Sequence, residues 1–246
     1  MPGDTHDERP EAYGLKRHVA CLLGVRLVSD LYEKACDLGL KPPLDAKRRE
    51  RLACIEKAGA LFFHVPKNAG MSVSQALYGR QIKHATLRYY QVVAPELTAR
   101  TPSFALIRDP LARFVSAFRY AQAGGASHNR VSLPFRAAYR AFRGVDEALD
   151  HIEAAKSPYH FDHIFRPQAW YVTGRDGAVA VDRLLPLETI DVIGDMIPAL
   201  RDRAIPRLNG GACAGECLNG AQIERLRRFY ARDFELFDRV QAAVAC

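Results

Sequence analysis

Apolar residues follow the chain in two patterns: short continuous runs, and longer stretches at helical spacing. The runs predict buried strands at residues 61–65, 103–107 and 183–187. Helical patterns separate these runs, which favours parallel strands joined by helical crossovers. The sequence therefore predicts an α/β fold of three layers, in which a central parallel sheet is flanked by helices.

The residues ahead of the first strand predict a helical extension. Apolar positions at helical spacing predict one helix over residues 14–40, ending near Gly39. The segment "AKRRERLACIEKAG" is polar and basic, and we interpret it as an approach to the first strand. We divide the chain into an N-terminal helical extension, residues 1–55, and one domain, residues 56–246. Further helices are predicted up to about Tyr78, up to the Gly124-Gly125 pair, within 126–165, at 191–204 and at 221–240.

Composition and charge narrow the class of ligand. The chain has 246 residues, of which 48% are hydrophobic and 26% charged, and this suits a globular core. Its formal net charge of +7 suits an anionic ligand: a nucleotide, a nucleic acid or an acidic polysaccharide. The apolar stretches are shorter than the about 20 residues that span a bilayer, and the polar N-terminus is unlike a secretory signal. We therefore expect a soluble, cytoplasmic protein without an integral membrane segment.

The six cysteines are scattered along the chain. Cys213 and Cys217 are close to one another, but no second Cys or His pair lies near them in the sequence, so the spacing argues against zinc. We expect free thiols, and no metal site is predicted.

The segment "LFFHVPKNAGMSVSQAL", residues 61–77, joins the first strand to a helix through a short turn that contains Lys67 and Gly70. Backbone N–H groups and the positive end of the helix dipole meet at such a turn, which makes it an anion site. The turn differs from a nucleotide triphosphatase loop, because Lys67 precedes Gly70 and no glycine stands at the required earlier position. By itself the segment is equally compatible with an ordinary strand-to-helix turn.

A second segment, "FALIRDPLARFVSAF", repeats the arrangement of strand, cation and helix. Arg108 ends the strand, Pro110 begins the helix, and Ser116 follows on that helix. Ligands of open α/β sheets collect at the carboxyl ends of the strands. Lys67 and Arg108 are therefore predicted at one edge of the sheet, beside two helix N-termini, where a ligand with two separated phosphates would bind.

Together the two segments resemble the 5′-phosphosulfate and 3′-phosphate signatures of sulfotransferases that use 3′-phosphoadenosine-5′-phosphosulfate (PAPS). The likeness is closer to carbohydrate sulfotransferases of the heparan 2-O and chondroitin type, which show H-x-P-K-[TN]-A-G-[TM]-S and later R-[DN]-P-x-x-R-x-x-S. It continues in the same order through "HIFRPQAWYVTG", "VDRLLPLETI", "IPRLNGG" and "RRFYARDFELF", and covers nearly all of residues 60–238. The resemblance implies a P-loop-like sulfotransferase fold, PAPS as co-substrate, adenosine 3′,5′-bisphosphate as product, and no metal cofactor.

The resemblance also implies roles for individual residues. Lys67 would neutralise the leaving phosphate. Arg108 and Ser116 would hold the 3′-phosphate. Arg207 and the loop 209–215 resemble the segment that closes over the nucleotide. The backbone of one loop would wrap the 5′-phosphosulfate, and its residues are Lys67, Asn68, Ala69, Gly70, Met71 and Ser72.

Sulfuryl transfer needs a base for the acceptor hydroxyl, and a neutral imidazole suits this role near pH 7. We favour His84 in "KHATLRYY", because the resemblance to 2-O-sulfotransferases implies a catalytic histidine in an H-x-[ST] setting after the first helix. His160 and His163 in "YHFDHIFRPQ" are the competing candidates. We interpret His64 as structural, and Glu188 as a hydrogen-bond acceptor rather than the base.

The sequence thus predicts a PAPS-dependent sulfotransferase of bacterial origin that acts on a hydroxyl of a carbohydrate or glycoconjugate, without a nucleic-acid partner. Two alternatives stay open. A phosphoryl-transfer, kinase-like enzyme on a related P-loop fold would need an acidic magnesium ligand after a strand, for which Asp109 is the nearest candidate. A non-catalytic binder of acidic polymers would explain the net charge and would bind with strong salt dependence.

Overall fold

The computed structural model describes residues 10–82, 84–126, 129–206 and 218–244. None of the helices in these ranges is long and apolar enough to cross a membrane. The strands are β1 (Leu61–Phe63), β2 (Ser103–Ile107) and β3 (Arg183–Pro186). The helices are α1 (Pro10–Leu22), α2 (Leu31–Asp37), α3 (Ala46–Ala58), α4 (Gly70–Tyr78), α5 (Leu87–Val93), α6 (Pro95–Arg100), α7 (Pro110–Gln122), α8 (Leu133–Arg140), α9 (Val145–Glu153), α10 (Gln168–Val172), α11 (Ile193–Met196), α12 (Gly220–Phe229) and α13 (Ala231–Val244).

Within the described ranges, the strands form one open parallel sheet in the order β1-β2-β3. Phe63 pairs with Ala105 at the end of β1, and Ile107 pairs with Pro186 at the end of β2. The prediction of parallel strands in an α/β fold is therefore confirmed. β2 has the predicted bounds. β1 is shorter than predicted because the N–H of Val65 turns back to the carbonyl of Phe63, and β3 ends one residue early.

Helices pack on both faces of the sheet. Alternate residues of a strand point to opposite faces. One face packs against α4 and the segment around α11, and the other against α5, α10 and α13. Every residue of β1 and β2 is buried, which explains why these strands read as continuous apolar runs. The first face includes Phe62, Phe104, Leu106 and Leu185, and the second includes Leu61, Phe63, Ala105 and Ile107.

A further part of the core joins α7, α8, α9 and α12. Its fully buried side chains include Phe114, Phe118, Tyr139 and Leu149. The segment 126–165, predicted to be helical, supplies α8, α9 and two short 3₁₀ turns. This packing fixes α7, the helix that follows β2, and thereby the position of its first turn at the strand ends.

Two described α-helices, α1 and α2, occupy the region where a single helix was predicted over residues 14–40. α1 ends because Gly24 adopts a left-handed φ of 67°, and the N–H of Val25 donates to the carbonyl of Ala20 across this turn at 2.8 Å. The chain becomes helical again after a 3₁₀ turn, Val28–Asp30, that leads into α2. Apolar spacing continues through Gly24, so periodicity alone cannot reveal this interruption.

Most of residues 46–59, which the sequence marks only as a polar, basic approach to β1, forms α3. The Asp45 side chain caps the helix by accepting from the N–H of Arg48 at 2.7 Å, and Gly59 ends it with a φ of 67°. Ile55 is the buried residue of α3. Because so little of the helix is apolar, it lacks the stripe by which an amphipathic helix is recognised.

The helices predicted at 191–204 and 221–240 are both interrupted. In the first, α11 is the α-helical part, and Pro198 begins a separate 3₁₀ turn because it has no N–H to continue the helix. In the second, α12 and α13 are separated at Tyr230, whose buried hydroxyl donates to the carbonyl of Phe165 at 2.6 Å. A tertiary hydrogen bond thus lies at the interruption between α12 and α13, which the apolar spacing of the sequence does not show.

Two buried carboxylates join the N-terminal extension to the rest of the structure. Glu33 accepts hydrogen bonds from the N–H and hydroxyl of Thr86 at 3.0 and 2.6 Å, and burial raises the pKa of Glu33 to about 7. Asp30 forms an ion pair with Arg166, and both side chains are almost completely buried. Burial by itself raises the pKa of Asp30, but the charges of His163 and Arg166 outweigh it and lower that pKa to about 2.

We predict that Asp30→Asn lowers the free energy of unfolding by about 3 kcal/mol or more, because it leaves the buried Arg166 without its counter-charge. The Asp30 carboxylate contributes fully above its ordinary pKa of 3.8, and this contribution is lost as the pH falls towards about 2. Urea unfolding should therefore show a difference between the variant and the parent protein that shrinks below pH 3.8.

The control is Arg225→Ala. Arg225 pairs with partly exposed carboxylates, so its loss should cost at most about 1 kcal/mol. Equal losses in the two variants near neutral pH would contradict the role given to Asp30. The partners of Arg225 are Asp146, Asp150 and Glu153.

Candidate functional site

The loops that follow β1, β2 and β3 border one cavity of about 2120 Å³. They meet there because the carboxyl ends of parallel strands lie at the same edge of the sheet. Asn68 is not part of the lining, and Arg207, the loop 209–215, Cys213 and Cys217 lie outside the described residues. The predicted site residues that line the cavity are Lys67, Ala69, Gly70, Met71, Ser72, His84, Arg108, Ser116, His160 and His163.

The loop between β1 and α4 has a strained backbone. Lys67 and Ala69 adopt left-handed conformations with φ of 71° and 53°, which are costly for residues that carry a side chain. Ala69 is the N-cap of α4, and it has no side-chain group that could satisfy the first N–H groups of the helix. The positive end of α4 therefore borders the cavity, in the arrangement that favours an anion.

Close packing of His64 against the start of α4 requires a glycine at position 70. A Cβ atom at Gly70 would lie 1.8 Å from Cδ2 and 2.1 Å from Nε2 of His64. The imidazole of His64 is buried, and its Nδ1 is 3.3 Å from the carbonyl oxygen of Ile82. Burial lowers the pKa of His64 to about 4, so a neutral ring supports the turn.

Lys67 lies in a region of concentrated positive charge. Its Nζ is 4.3 Å from the centroid of the Tyr120 ring. Burial, followed by the charges of Arg108 and Arg113, lowers the pKa of Lys67 to about 8. An anion bound at the loop would raise this pKa again, because a nearby negative charge favours the ammonium form.

Arg108 connects the loop after β2 to the loop after β1, because its Nη1 donates to the carbonyl of Lys67 at 3.3 Å. Ser116 lies on α7, is half-buried, and lines the same cavity. The N-terminus of α7 is already capped: the Asp109 carboxylate accepts from the N–H of Ala112 at 2.7 Å. Of the two helix N-termini expected at this edge, α4 is thus the one without a side-chain cap. An anion near β2 would depend on Arg108 and Ser116.

Gln168, the first residue of α10, was not predicted as a site residue; it is fully buried behind the cavity. Its side-chain amide bonds to the backbone of Arg108 and to the side chain of Asn68. The Asn68 amide also donates to the carbonyl of Leu106 at 2.7 Å, so its side chain is held in the interior rather than in the cavity. A glutamine at the start of the apolar run "AWYV" is the signal that could have identified Gln168.

His84 follows α4 and returns the chain to the cavity. Its Nδ1 is 3.0 Å from the carbonyl oxygen of His64, and since a carbonyl can only accept, Nδ1 carries the hydrogen. Nε2 is then the nitrogen that can accept a proton. Burial, followed by the neighbouring His64 and His163, lowers the pKa of His84 well below 6.5, so the ring is neutral at pH 7.

His163 and His160 have different surroundings. The ring centroid of His163 is 5.7 Å from that of His84, and its Nε2 is 3.0 Å from Oδ1 of the buried Asp30. Because the carboxylate accepts, it orients this ring and fixes which nitrogen donates. His160 lines the cavity near Gly24, and no ring contact among the described residues joins it to the other two histidines. The structure thus brings His84 and His163 together and leaves His160 apart.

The two carboxylates considered from the sequence, Glu188 and Asp109, do not line the cavity. Glu188, expected as a hydrogen-bond acceptor, is exposed. Asp109 is engaged as the cap of α7. Over the part of the chain that the structure describes, no three His, Cys, Asp or Glu side chains are grouped as metal ligands would be.

Comparisons with known proteins do not bear on this cavity. No protein-family model, curated protein or solved structure matches the chain. The function is therefore inferred from the geometry of the site and from the segments that build it.

We predict that Gly70→Ala displaces the loop before α4, because the added methyl group would overlap the ring of His64. The free energy of unfolding should fall by about 1–3 kcal/mol, as it does on overpacking. Binding of adenosine 3′,5′-bisphosphate, the ligand expected from the sequence resemblance, should weaken by about 10-fold or more in calorimetric titration, because the N–H groups lose their alignment.

Gly220→Ala is the matched control, since Gly220 also begins a helix, α12, but a Cβ atom there would meet no atom within 4 Å. This variant should stay within about 0.5 kcal/mol of the parent protein and bind normally. Normal binding by Gly70→Ala would show that the loop is not an anion site.

Proposed function

We propose that the protein is a PAPS-dependent sulfotransferase with a P-loop-like sulfotransferase fold, which transfers a sulfuryl group to a hydroxyl of a carbohydrate or glycoconjugate. One observation carries the proposal: Lys67, Arg108 and the neutral imidazole of His84 line a single cavity at the ends of paired parallel strands. Two separated cations suit a ligand with two phosphate groups. A neutral imidazole suits an acceptor that must lose a hydroxyl proton.

The nucleotide would bind across the ends of β1 and β2. Its 5′-phosphosulfate would lie at the start of α4, against the backbone N–H groups of residues 67–72. Its 3′-phosphate would lie between Arg108, which offers charge-assisted hydrogen bonds, and the hydroxyl of Ser116. The contact between Arg108 and the carbonyl of Lys67 keeps these two regions adjacent.

The transfer would proceed by in-line attack. The acceptor oxygen forms a bond to sulfur while the bond between sulfur and the bridging oxygen breaks, and the leaving phosphate keeps the electron pair. Nε2 of His84 takes the hydroxyl proton. Lys67 stabilises the charge that develops on the bridging oxygen, and its ammonium form is restored by the anion it binds.

The cavity has room for both substrates. Pockets for drug-sized ligands have volumes of about 300–1000 Å³, whereas this cavity measures about 2120 Å³. Part of its wall comes from the N-terminal extension, including Arg26, Tyr32 and Arg48. The acceptor would therefore lie between the histidines and the N-terminal extension.

Calorimetric titration with adenosine 3′,5′-bisphosphate and with ATP–Mg²⁺ tests the proposal. We expect the bisphosphate to bind more tightly by about 10-fold or more, because the second phosphate meets Arg108 only when it is carried on the 3′ position. Tighter binding of ATP–Mg²⁺ would favour a kinase-like enzyme instead. Salt-dependent binding of heparin or DNA without binding of the bisphosphate would favour a non-catalytic binder of acidic polymers.

Arg108→Met tests the assignment of the 3′-phosphate within the same titration. The substitution removes the cation and keeps the backbone. It should therefore lower the affinity for the bisphosphate by about 10-fold and leave the affinity for adenosine 5′-phosphate nearly unchanged. Arg100→Met is the control, since Arg100 is an exposed residue that pairs with Glu56 outside the cavity. If Arg108→Met lowers the affinity for both ligands equally, Arg108 has a structural role.

We predict that His84→Asn lowers kcat by about 10²-fold or more, because an amide can still donate to the carbonyl of His64 but cannot accept a proton at neutral pH. Nucleotide affinity should be unchanged, since a base contacts the acceptor. In the parent protein, kcat/KM should fall as the pH drops through the pKa of His84, below 6.5, because protonation removes the base. This acidic limb should be absent from the variant.

Transfer rates from PAPS to a panel of oligosaccharides measure these effects, and His160→Asn is the control. The base is His163 if His163→Asn loses activity and His84→Asn retains it. Loss of activity in His160→Asn alone would contradict the assignment of the base to His84 or His163.

A further inference from the structure

The side-chain amide of Gln168 binds the backbone of Arg108 at two points. Its Oε1 accepts from the N–H of Arg108 at 3.0 Å, and its Nε2 donates to the carbonyl of Arg108 at 2.8 Å. This is the pattern by which a neighbouring strand would bind that residue. The last paired residues of β1 and β2 are Phe63 and Ala105, so the sheet itself no longer holds the chain at Arg108 against the loop after β1.

The same amide also binds the loop after β1. Oε1 of Gln168 accepts from Nδ2 of Asn68 at 2.6 Å, and Nδ2 also donates to the carbonyl of Leu106 at 2.7 Å. The orientation of both amides is determined, because the N–H of Arg108 can face only an acceptor. Oδ1 of Asn68 is buried and has no hydrogen-bond partner among the described residues. Nδ2 of Asn68 thus makes both hydrogen bonds, while Oδ1 of the same amide is left without one.

Gln168 is itself anchored by Asp233 on α13. The Asp233 carboxylate accepts from the N–H of Gln168 at 2.7 Å and from the N–H of Ala169 at 2.8 Å. Asp233 and Gln168 are fully buried, and Asn68 is 1% exposed. A buried, hydrogen-bonded connection therefore runs from α13 through Gln168 to both loops.

We propose that Gln168 is a positioning residue that sets the spacing of the two anion-binding loops, so that a ligand with two phosphate groups engages both at once. The inference rests on the proposed function, since it concerns the 5′ and 3′ sites of the nucleotide. Gln168 does not line the cavity, and it acts through the backbone of Arg108 and the side chain of Asn68.

Correct spacing has a measurable consequence. When two sites are held at the separation of two groups on one ligand, binding at the first raises the effective concentration at the second. The parent protein should therefore bind adenosine 3′,5′-bisphosphate about 10²-fold more tightly than either adenosine 5′-phosphate or adenosine 3′-phosphate. Each monophosphate occupies one anion site, so its affinity does not depend on the spacing of the two loops.

Calorimetric titration of the full chain with these three ligands tests the proposal. Gln168→Met keeps the side-chain volume and removes the hydrogen bonds. It should lower the ratio of the bisphosphate affinity to the monophosphate affinities by about 10-fold or more, and change the affinity for each monophosphate by less than about 3-fold. Gln168→Glu keeps an acceptor for the N–H of Arg108 and should retain part of the advantage. Gln75→Met is the control, because Gln75 is exposed and lies outside the cavity.

The outcomes separate the inference from the proposed function. If the parent protein binds the bisphosphate no better than the monophosphates, the proposed function fails. If the parent shows the advantage and Gln168→Met keeps it, the positioning role is overturned. Partial unfolding lowers the number of binding sites and leaves the ratio of the affinities unchanged. Should Gln168→Met fail to fold, Asn68→Ala breaks the same connection at its other end and must lower the same ratio.

Discussion

The parallel pairing of β1 with β2 is the constraint on which the site depends. Paired strands lie about 4.8 Å apart, so the residues that follow them become neighbours, although Lys67 and Arg108 are 41 positions apart in sequence. Burial of both faces of the sheet stabilises this pairing. A cation in a turn is common, whereas two cations at the ends of paired strands form a site for a ligand that can reach both.

The arrangement of charge around Lys67 indicates a site that is organised before its ligand arrives. Lys67, Arg108 and Arg113 lie close enough for the two guanidinium groups to lower the pKa of the lysine, in addition to the effect of burial. Mutual repulsion of this kind is unfavourable in the unliganded protein and is relieved by an anion. The left-handed backbone of Lys67 and Ala69 is also unfavourable in the unliganded protein. Surrounding contacts, such as the packing of His64 on Gly70, hold the loop in this strained conformation.

Features of the fold and the site that depend on local sequence could be predicted. Features that depend on contacts between residues far apart in the chain could not. The bounds of β2 follow from its apolar run, because a strand buried on both faces needs apolar side chains throughout. The positions of Lys67 and Arg108 follow from the rule for parallel strands. α3 was missed because it is polar on most of its surface and begins at a capped turn. Gln168 was missed because its contacts with Asn68 and Asp233 span 100 and 65 positions, which no local pattern records.

The connection through Gln168 also makes the site dependent on segments that are far apart in the chain. Asn68, Gln168 and Asp233 come from the first strand-helix unit, the middle of the chain and the last helix, so their union requires closure of long loops. Contacts of such separation slow a folding reaction. Because Asp233 lies on α13, the spacing of the loops after β1 and β2 depends on the last described helix of the chain. A substitution in α13 would therefore alter a site to which that helix contributes no lining residue.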